Sequence, residues 1–242
     1  KMTSSNDIRD KLLKTNRVFF SRFPTLTDVQ NQTIPKILEG QNCLIISPTA
    51  SGKTEAVIAP ICERILSEHS QIETLKHLLV VYVIPTRALV NDIYKRLEDS
   101  LLRLNISIAS KTSDRDNFKI ENPQNILFTT PESLDSLLMR HPQVLKNLEY
   151  VIIDELHFLD NNYRGDQLRV LLKRLKEKNI VSEKLKMYAM SATIHNPNEL
   201  GKRYFENFEL IISKGSREIV FEAIGCDVNF KNLKKIYDIF YH

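Results

Sequence analysis

Cysteine is scarce and scattered: Cys43, Cys62 and Cys226 lie far apart and form no Cys-x-x-Cys pair. A disulfide framework and a thiolate zinc site are both unsupported, and a reducing cytoplasmic location is expected. The six histidines do not cluster either. No apolar run is longer than a strand, Leu78 to Ile84 being typical, and the polar start Lys1-Met2-Thr3-Ser4-Ser5-Asn6 does not resemble a signal peptide, so neither a membrane span nor a leader is predicted. The charge is nearly balanced, +4 net over 242 residues. That permits a polyanionic partner but falls short of a dedicated nucleic-acid-coating domain. Internal repeats, low-complexity stretches and a Gly/Ser linker are also missing, which argues against an array or a string of tethered modules.

What is present is an ordinary globular composition, 42% hydrophobic and 26% charged, enough for one large domain or two small ones. Short apolar runs at 43–46, 78–84, 106–110, 125–130, 150–155, 185–190 and 209–213 alternate with segments of helical periodicity at 87–104, 132–139, 166–178 and 198–205. The chain opens with a predicted amphipathic helix over 8–20 and a second over 28–38, capped by Thr27 or Asp28, stopped at Gly40 and kinked at Pro35. It closes with an extended stretch over 217–228 and a helix over 229–242. Such alternation predicts an α/β fold, a doubly wound, mostly parallel sheet with flanking helices. Ligands then gather at the C-terminal ends of the strands, where the loops after Ile46, Ile84, Thr130, Ile153 and Met190 all lie.

Two of those loops carry recognisable chemistry. Ser47-Pro48-Thr49-Ala50-Ser51-Gly52-Lys53-Thr54 follows a buried strand and opens a helix. A polyphosphate needs bare backbone N–H groups, a helix N-terminus and one ammonium; Thr49, Ala50, Ser51, Gly52 and Lys53 supply them, and Thr54 offers a hydroxyl to Mg²⁺. Ser47 stands where the phosphate-loop pattern places glycine and fits provided its φ is negative. The second loop is Asp154-Glu155-Leu156-His157. Nucleotide hydrolysis needs one carboxylate for the metal and another beside the attacking water. Asp154 is assigned to Mg²⁺, Glu155 to water activation, and His157 to coupling.

With these motifs in place the chain resembles the first RecA-like domain of a superfamily 2 DEAD/DEAH-box-like helicase. Leu26-Thr27-Asp28-Val29-Gln30 with Ile34-Pro35 resembles the Q motif, in which a Gln reads adenine. Pro85-Thr86-Arg87-Ala88-Leu89 resembles motif Ia, Thr129-Thr130-Pro131-Glu132-Ser133-Leu134 motif Ib, and Ser191-Ala192-Thr193 motif III. Arg164-Gly165 after the Asp-Glu-Leu-His box and Ser-Ala-Thr-Ile-His-Asn-Pro resemble the Lhr-like branch in particular; the Ski-like branch shares several of these features. Leu156 replaces the usual Val or Ile, and Thr112-Ser113-Asp114 stands where a Gly-Gly pair is expected.

The resemblance implies ATP and Mg²⁺ as cofactors. It implies Thr86, Arg87, Thr130 and Pro131 on a nucleic-acid backbone, and His157, Ser191 and Thr193 coupling that path to the nucleotide. Read from the residues alone, Thr86 and Thr130 serve equally as helix caps, Arg87 as a surface ion pair, Gln30 as an ordinary helix residue, and Ser191 and Thr193 as caps. Phe19, Phe20 and Phe23 all remain candidates to stack on adenine. The expected organisation is a RecA-like domain over 1–228, with a helical Q-motif region at 8–40, and a segment over 229–242 leading toward a second RecA-like domain that would bring an arginine finger. The expected function is an ATP-dependent helicase or translocase on single-stranded or partly duplex nucleic acid, DNA favoured, with little hydrolysis by this chain alone. A nucleotide-dependent adaptor and an RNA helicase are the alternatives.

Overall fold

The computed structural model describes residues 5–160, 162–177, 180–181, 184–192 and 194–214. The segments expected at 217–228 and 229–242, together with Thr193, lie outside the described residues. Among those described, the chain runs through α1 (Ser5–Asp10), α2 (Asn16–Phe19), α3 (Asp28–Leu38), β1 (Cys43–Ile46), α4 (Lys53–Glu68), β2 (Val80–Val83), α5 (Arg87–Arg103), β3 (Ile108–Lys111), β4 (Ile126–Thr129), α6 (Pro131–Arg140), β5 (Tyr150–Ile153), α7 (Tyr163–Glu177), β6 (Lys186–Ser191), α8 (Pro197–Tyr204) and β7 (Glu209–Ile212).

The seven strands form one sheet in the order β3-β4-β2-β5-β6-β1-β7, and every pairing is parallel. The α/β expectation is therefore met in full. From β1 the chain first crosses toward β2 and then β3, and the helices of those crossovers, α4 and α5, lie on one face. It then returns through β4, β5, β6 and β7, which places α6, α7 and α8 on the other face, as right-handed crossovers require. Two cores result. Cys43, Ile45, Val80, Tyr82, Phe128, Tyr150 and Ile152 point to the first with α3, α4 and α5; Leu44, Ile46, Val81, Val83, Leu127, Val151 and Ile153 point to the second with α6, α7 and α8. Successive residues of each strand thus bury on opposite faces, which is why the strands read as unbroken apolar runs rather than as alternation. Each fully buried aliphatic side chain contributes roughly 1.5–3 kcal/mol.

The helix expected over 8–20 breaks in two. Glu63 on α4 is buried and accepts hydrogen bonds from the backbone N–H of Lys14 (2.9 Å) and Thr15 (2.9 Å) and from the Thr15 hydroxyl (2.9 Å). Those donors are turned outward from the chain's own axis, so a continuous helix cannot form there. Thr27 is the cap of α3, its side chain accepting from Gln30 N while Gln30 Oε1 accepts from Thr27 N at 3.0 Å, a reciprocal capping box. The helix continues through Pro35 to Leu38 and ends at Gly40, whose φ is +75°. α7 begins three residues earlier than its periodicity suggests, because Asn162 Oδ1 takes the Arg164 N–H at 2.9 Å. No helix among the described residues is long and apolar enough to cross a membrane.

Candidate nucleotide and nucleic-acid site

Parallel pairing brings the C-terminal ends of β1, β2, β4, β5 and β6 to one edge of the sheet. The phosphate loop leaves β1 there, tied to its neighbour by Ser47 N donating to Ser191 O at 3.1 Å. Ser47 is buried, is not among the positive-φ residues, and donates its hydroxyl to Ser51 Oγ or accepts from it at 2.5 Å. Serine therefore fills the first position without backbone strain, as its place in the pattern required. The left-handed residues are Ala50 (φ +57°) and Gly52 (φ +89°), and Gly52 is the residue on which α4 starts. Lys53 folds back over the loop. Its Nζ donates to Ser47 O at 2.6 Å and Pro48 O at 3.3 Å. Burial pulls its pKa below the ordinary lysine value, while the charges of Glu155 and Asp154 pull the other way.

Asp154 closes β5 and is 5% exposed. Burial, reinforced by the adjacent Glu155 charge, raises its pKa to about 6, against the stabilising hydrogen bond from Tyr82. Tyr82 Oη donates to Asp154 Oδ2 at 2.9 Å, and Glu155 N donates to Asp154 Oδ1 at 2.9 Å. Glu155 itself sits at φ +45°, ψ +46°, a strained conformation for a residue with a Cβ. Its Oε2 is buried with no hydrogen-bond donor. Nδ1 of His157 lies 3.3 Å from that oxygen and also 3.3 Å from Ala192 N, which donates to it. His157 thereby joins the loop after β5 to the segment after β6. Ser191 is buried there, its hydroxyl without a partner.

Gln30 and the aromatic cluster reach the same place from the N-terminal helices. Gln30 Nε2 donates to Gly52 O at 3.3 Å. Together with Phe19, Phe23, Lys53, Asp154 and Glu155 it lines a cavity of about 750 Å³. The three phenylalanines separate by exposure. Phe19 and Phe20 belong to the core, whereas Phe23 is 58% exposed along the cavity wall.

A second cavity, about 430 Å³, opens at the ends of β2 and β4 and is lined by Thr86, Arg87, Ser113, Thr130, Glu132 and Arg164, with others. Thr86 and Thr130 are helix caps as well, accepting from Leu89 N and Ser133 N. Arg87 donates to Ser113 and Asp114, which brings the Thr112-Ser113-Asp114 loop against the start of α5. Arg164 is bonded to Glu132 and to Pro85 O. Pro131 is buried in the first turn of α6 and is not part of that wall. Two residues are not signalled by any motif: Arg96, which lines the cavity from α5, and Tyr82, buried in β2 behind it and hydrogen-bonded to Asp154. A tyrosine inside an all-apolar strand was the available signal, since a buried hydroxyl needs a partner.

A family model for DEAD/DEAH box helicases matches residues 27–200. The chain belongs to this family. Membership implies ATP as the nucleotide. This DEAD/DEAH box chain is 37% identical over 208 residues to the ATP-dependent helicase Lhr-Core protein 2 of Thermococcus barophilus, covering 77% of its own length and 23% of that protein. It is 37% identical over 221 residues to the Lhr-Core helicase of Methanocaldococcus jannaschii, covering 82% of itself and 25% of the relative. Among solved structures, Mycobacterium smegmatis helicase Lhr bound to ssDNA and AMP-PNP superposes with a TM-score of 0.71 at 28% identity, over 82% of this chain and 27% of that one. The chain thus spans about a quarter of the length of the relatives it matches, and the Lhr-like resemblance agrees with them.

Proposed function

We propose that this chain is the ATP-binding RecA-like domain of a helicase or translocase that moves on single-stranded or partly duplex nucleic acid, with DNA favoured over RNA. The observation that carries the reading is the convergence of Lys53, Thr54, Asp154 and Glu155 on one cavity that Gln30 and Phe23 also line. That cavity can hold a base at one end and a polyphosphate at the other. The preference for DNA rests on the similarity to Lhr bound to ssDNA.

The residues fit Mg²⁺. No group of three or more His, Cys, Asp or Glu gathers among the described residues, but Mg²⁺ is usually held by one or two carboxylates with phosphates and waters. Thr54 Oγ1 and Asp154 would hold it, and when bound it would neutralise phosphate charge. Lys53 neutralises the outer phosphates, and the amides of Thr49 to Thr54 cradle them. Glu155, with its orphaned Oε2, is placed to orient and deprotonate the attacking water. Gln30 has one free amide hydrogen to offer adenine, and Phe23 an exposed ring. Thr86, Arg87 and Thr130 contact the nucleic-acid backbone, which fixes register without reading sequence, while His157, Ser191 and Thr193 relay between the two sites. A second RecA-like domain of the full-length protein is the partner that would supply an arginine finger.

Changing Lys53→Ala tests this. ATP affinity measured by calorimetry should fall by at least about tenfold with the thermal midpoint nearly unchanged; wild-type affinity in the variant overturns the reading.

A further inference from the structure

Thr54 is assigned to the metal, yet its hydroxyl already has a cationic partner. Arg96, in the middle of α5, donates from Nη2 to Thr54 Oγ1. Its Nε lies 3.9 Å from Glu55 Oε1. The side chain is 50% exposed and lines the nucleotide cavity, so it has room to move away. On the other side of Thr54, the Tyr82 hydroxyl is within reach of Asp154 and Thr54 and feels the charge of Arg96. One guanidinium therefore stands over the same small group of oxygens that a divalent ion would use. An ion on Thr54 Oγ1 would lie next to that guanidinium, a like-charge contact that the half-exposed arginine can relieve by swinging toward solvent.

Resting on the nucleotide-site reading, we propose that Arg96 is a stand-in cation: it holds the Thr54 hydroxyl in place and yields it when Mg²⁺-nucleotide is bound. Arg96 is then a positioning residue that sets how selectively the site prefers the metal complex over bare nucleotide. It differs from a phosphate-binding arginine in one respect. A phosphate ligand helps nucleotide binding with or without metal, whereas a stand-in cation opposes only the metal-bound form.

The experiment is a titration of a fluorescent ADP analogue into wild type, Arg96→Ala and Arg96→Lys, each in Mg²⁺ and in EDTA, with thermal melts alongside. Loss of one displaced hydrogen bond predicts about three- to tenfold tighter binding by Arg96→Ala in Mg²⁺, no change in EDTA, and near-wild-type values for Arg96→Lys. Weaker binding in both arms makes Arg96 a phosphate ligand and overturns the proposal. Unchanged binding in both arms overturns it too, leaving a surface contact. Absence of nucleotide binding by wild type in either arm would instead sink the site reading beneath it. If Arg96→Ala does not fold, Arg96→Gln, which keeps the stem, carries the same test.

Discussion

The side-chain amide of Gln30 rests on the carbonyl oxygen of Gly52 at 3.3 Å, and a Cβ built on Gly52 would come within 2.4 Å of Gln30 Nε2. The N-terminal helical region and the phosphate loop are therefore packed so closely that a Cβ on Gly52 would push the Gln30 amide aside. Because Gly52 also holds φ +89°, Gly52→Ala faces two separable costs, the clash and the left-handed backbone. We expect it to lose about 1–3 kcal/mol in denaturant unfolding together with most of its nucleotide affinity. Adding Gln30→Ala should restore part of the stability, by removing the clash, but not the strained φ. Full recovery in the double variant would show that backbone conformation does not matter at this position.

Asp154 gives a pH dependence with a definite sign. Its folded pKa of about 6 lies above the ordinary 3.8, so the folded protein holds this proton more tightly than the unfolded chain. Stability should accordingly fall as pH rises from about 4 to 6 and stay reduced above that, by up to about 3 kcal/mol for this one group. Asp154→Asn keeps the acceptor for Tyr82 and removes the charge. Its melting temperature should exceed that of wild type at pH 8 and converge with it at pH 4. A constant difference across that range would assign the gain to something other than ionisation.

In the second cavity Arg87 is spoken for by Asp114, an exposed pair with side chains 55% and 63% accessible. Exposed pairs are weak, so a phosphate can compete for the guanidinium. Asp114→Asn should tighten binding of single-stranded DNA a few-fold at low salt, with the gain shrinking as salt is raised. Arg87→Ala should weaken binding and flatten the salt dependence by about one unit of slope. Fluorescence anisotropy over a salt series separates the two, and identical slopes for all three proteins would remove Arg87 from the nucleic-acid path.

Much of this was legible from the chain itself, and what escaped did so for one physical reason. The strands announced themselves because both faces are buried, and the phosphate loop and the carboxylate pair because their chemistry demands fixed residue types at fixed spacing. Strand lengths were overestimated: the run 78–84 contributes only Val80–Val83 to the sheet, since apolar residues such as Leu78 and Ile84 are buried beyond the ladder. The break in the first helix was invisible because its cause, Glu63, is contributed by α4 nearly fifty residues downstream. Tyr82 and Arg96 were missed on the same account. Each acquires meaning only from a partner brought in by the sheet, Asp154 for one and Thr54 for the other. Thr86 and Thr130 cap their helices and line the second cavity at once, so the motif alone does not separate the two roles.

α5 begins at Arg87 on the rim of one cavity and carries Arg96 to the wall of the other. At 1.5 Å per residue the two arginines are about 14 Å apart along a single rigid rod. The helix is thus a ruler with a cation at each mark: the spacing between the two arginines, one in each cavity, is set by the rise of one helix, not by a loop that could stretch.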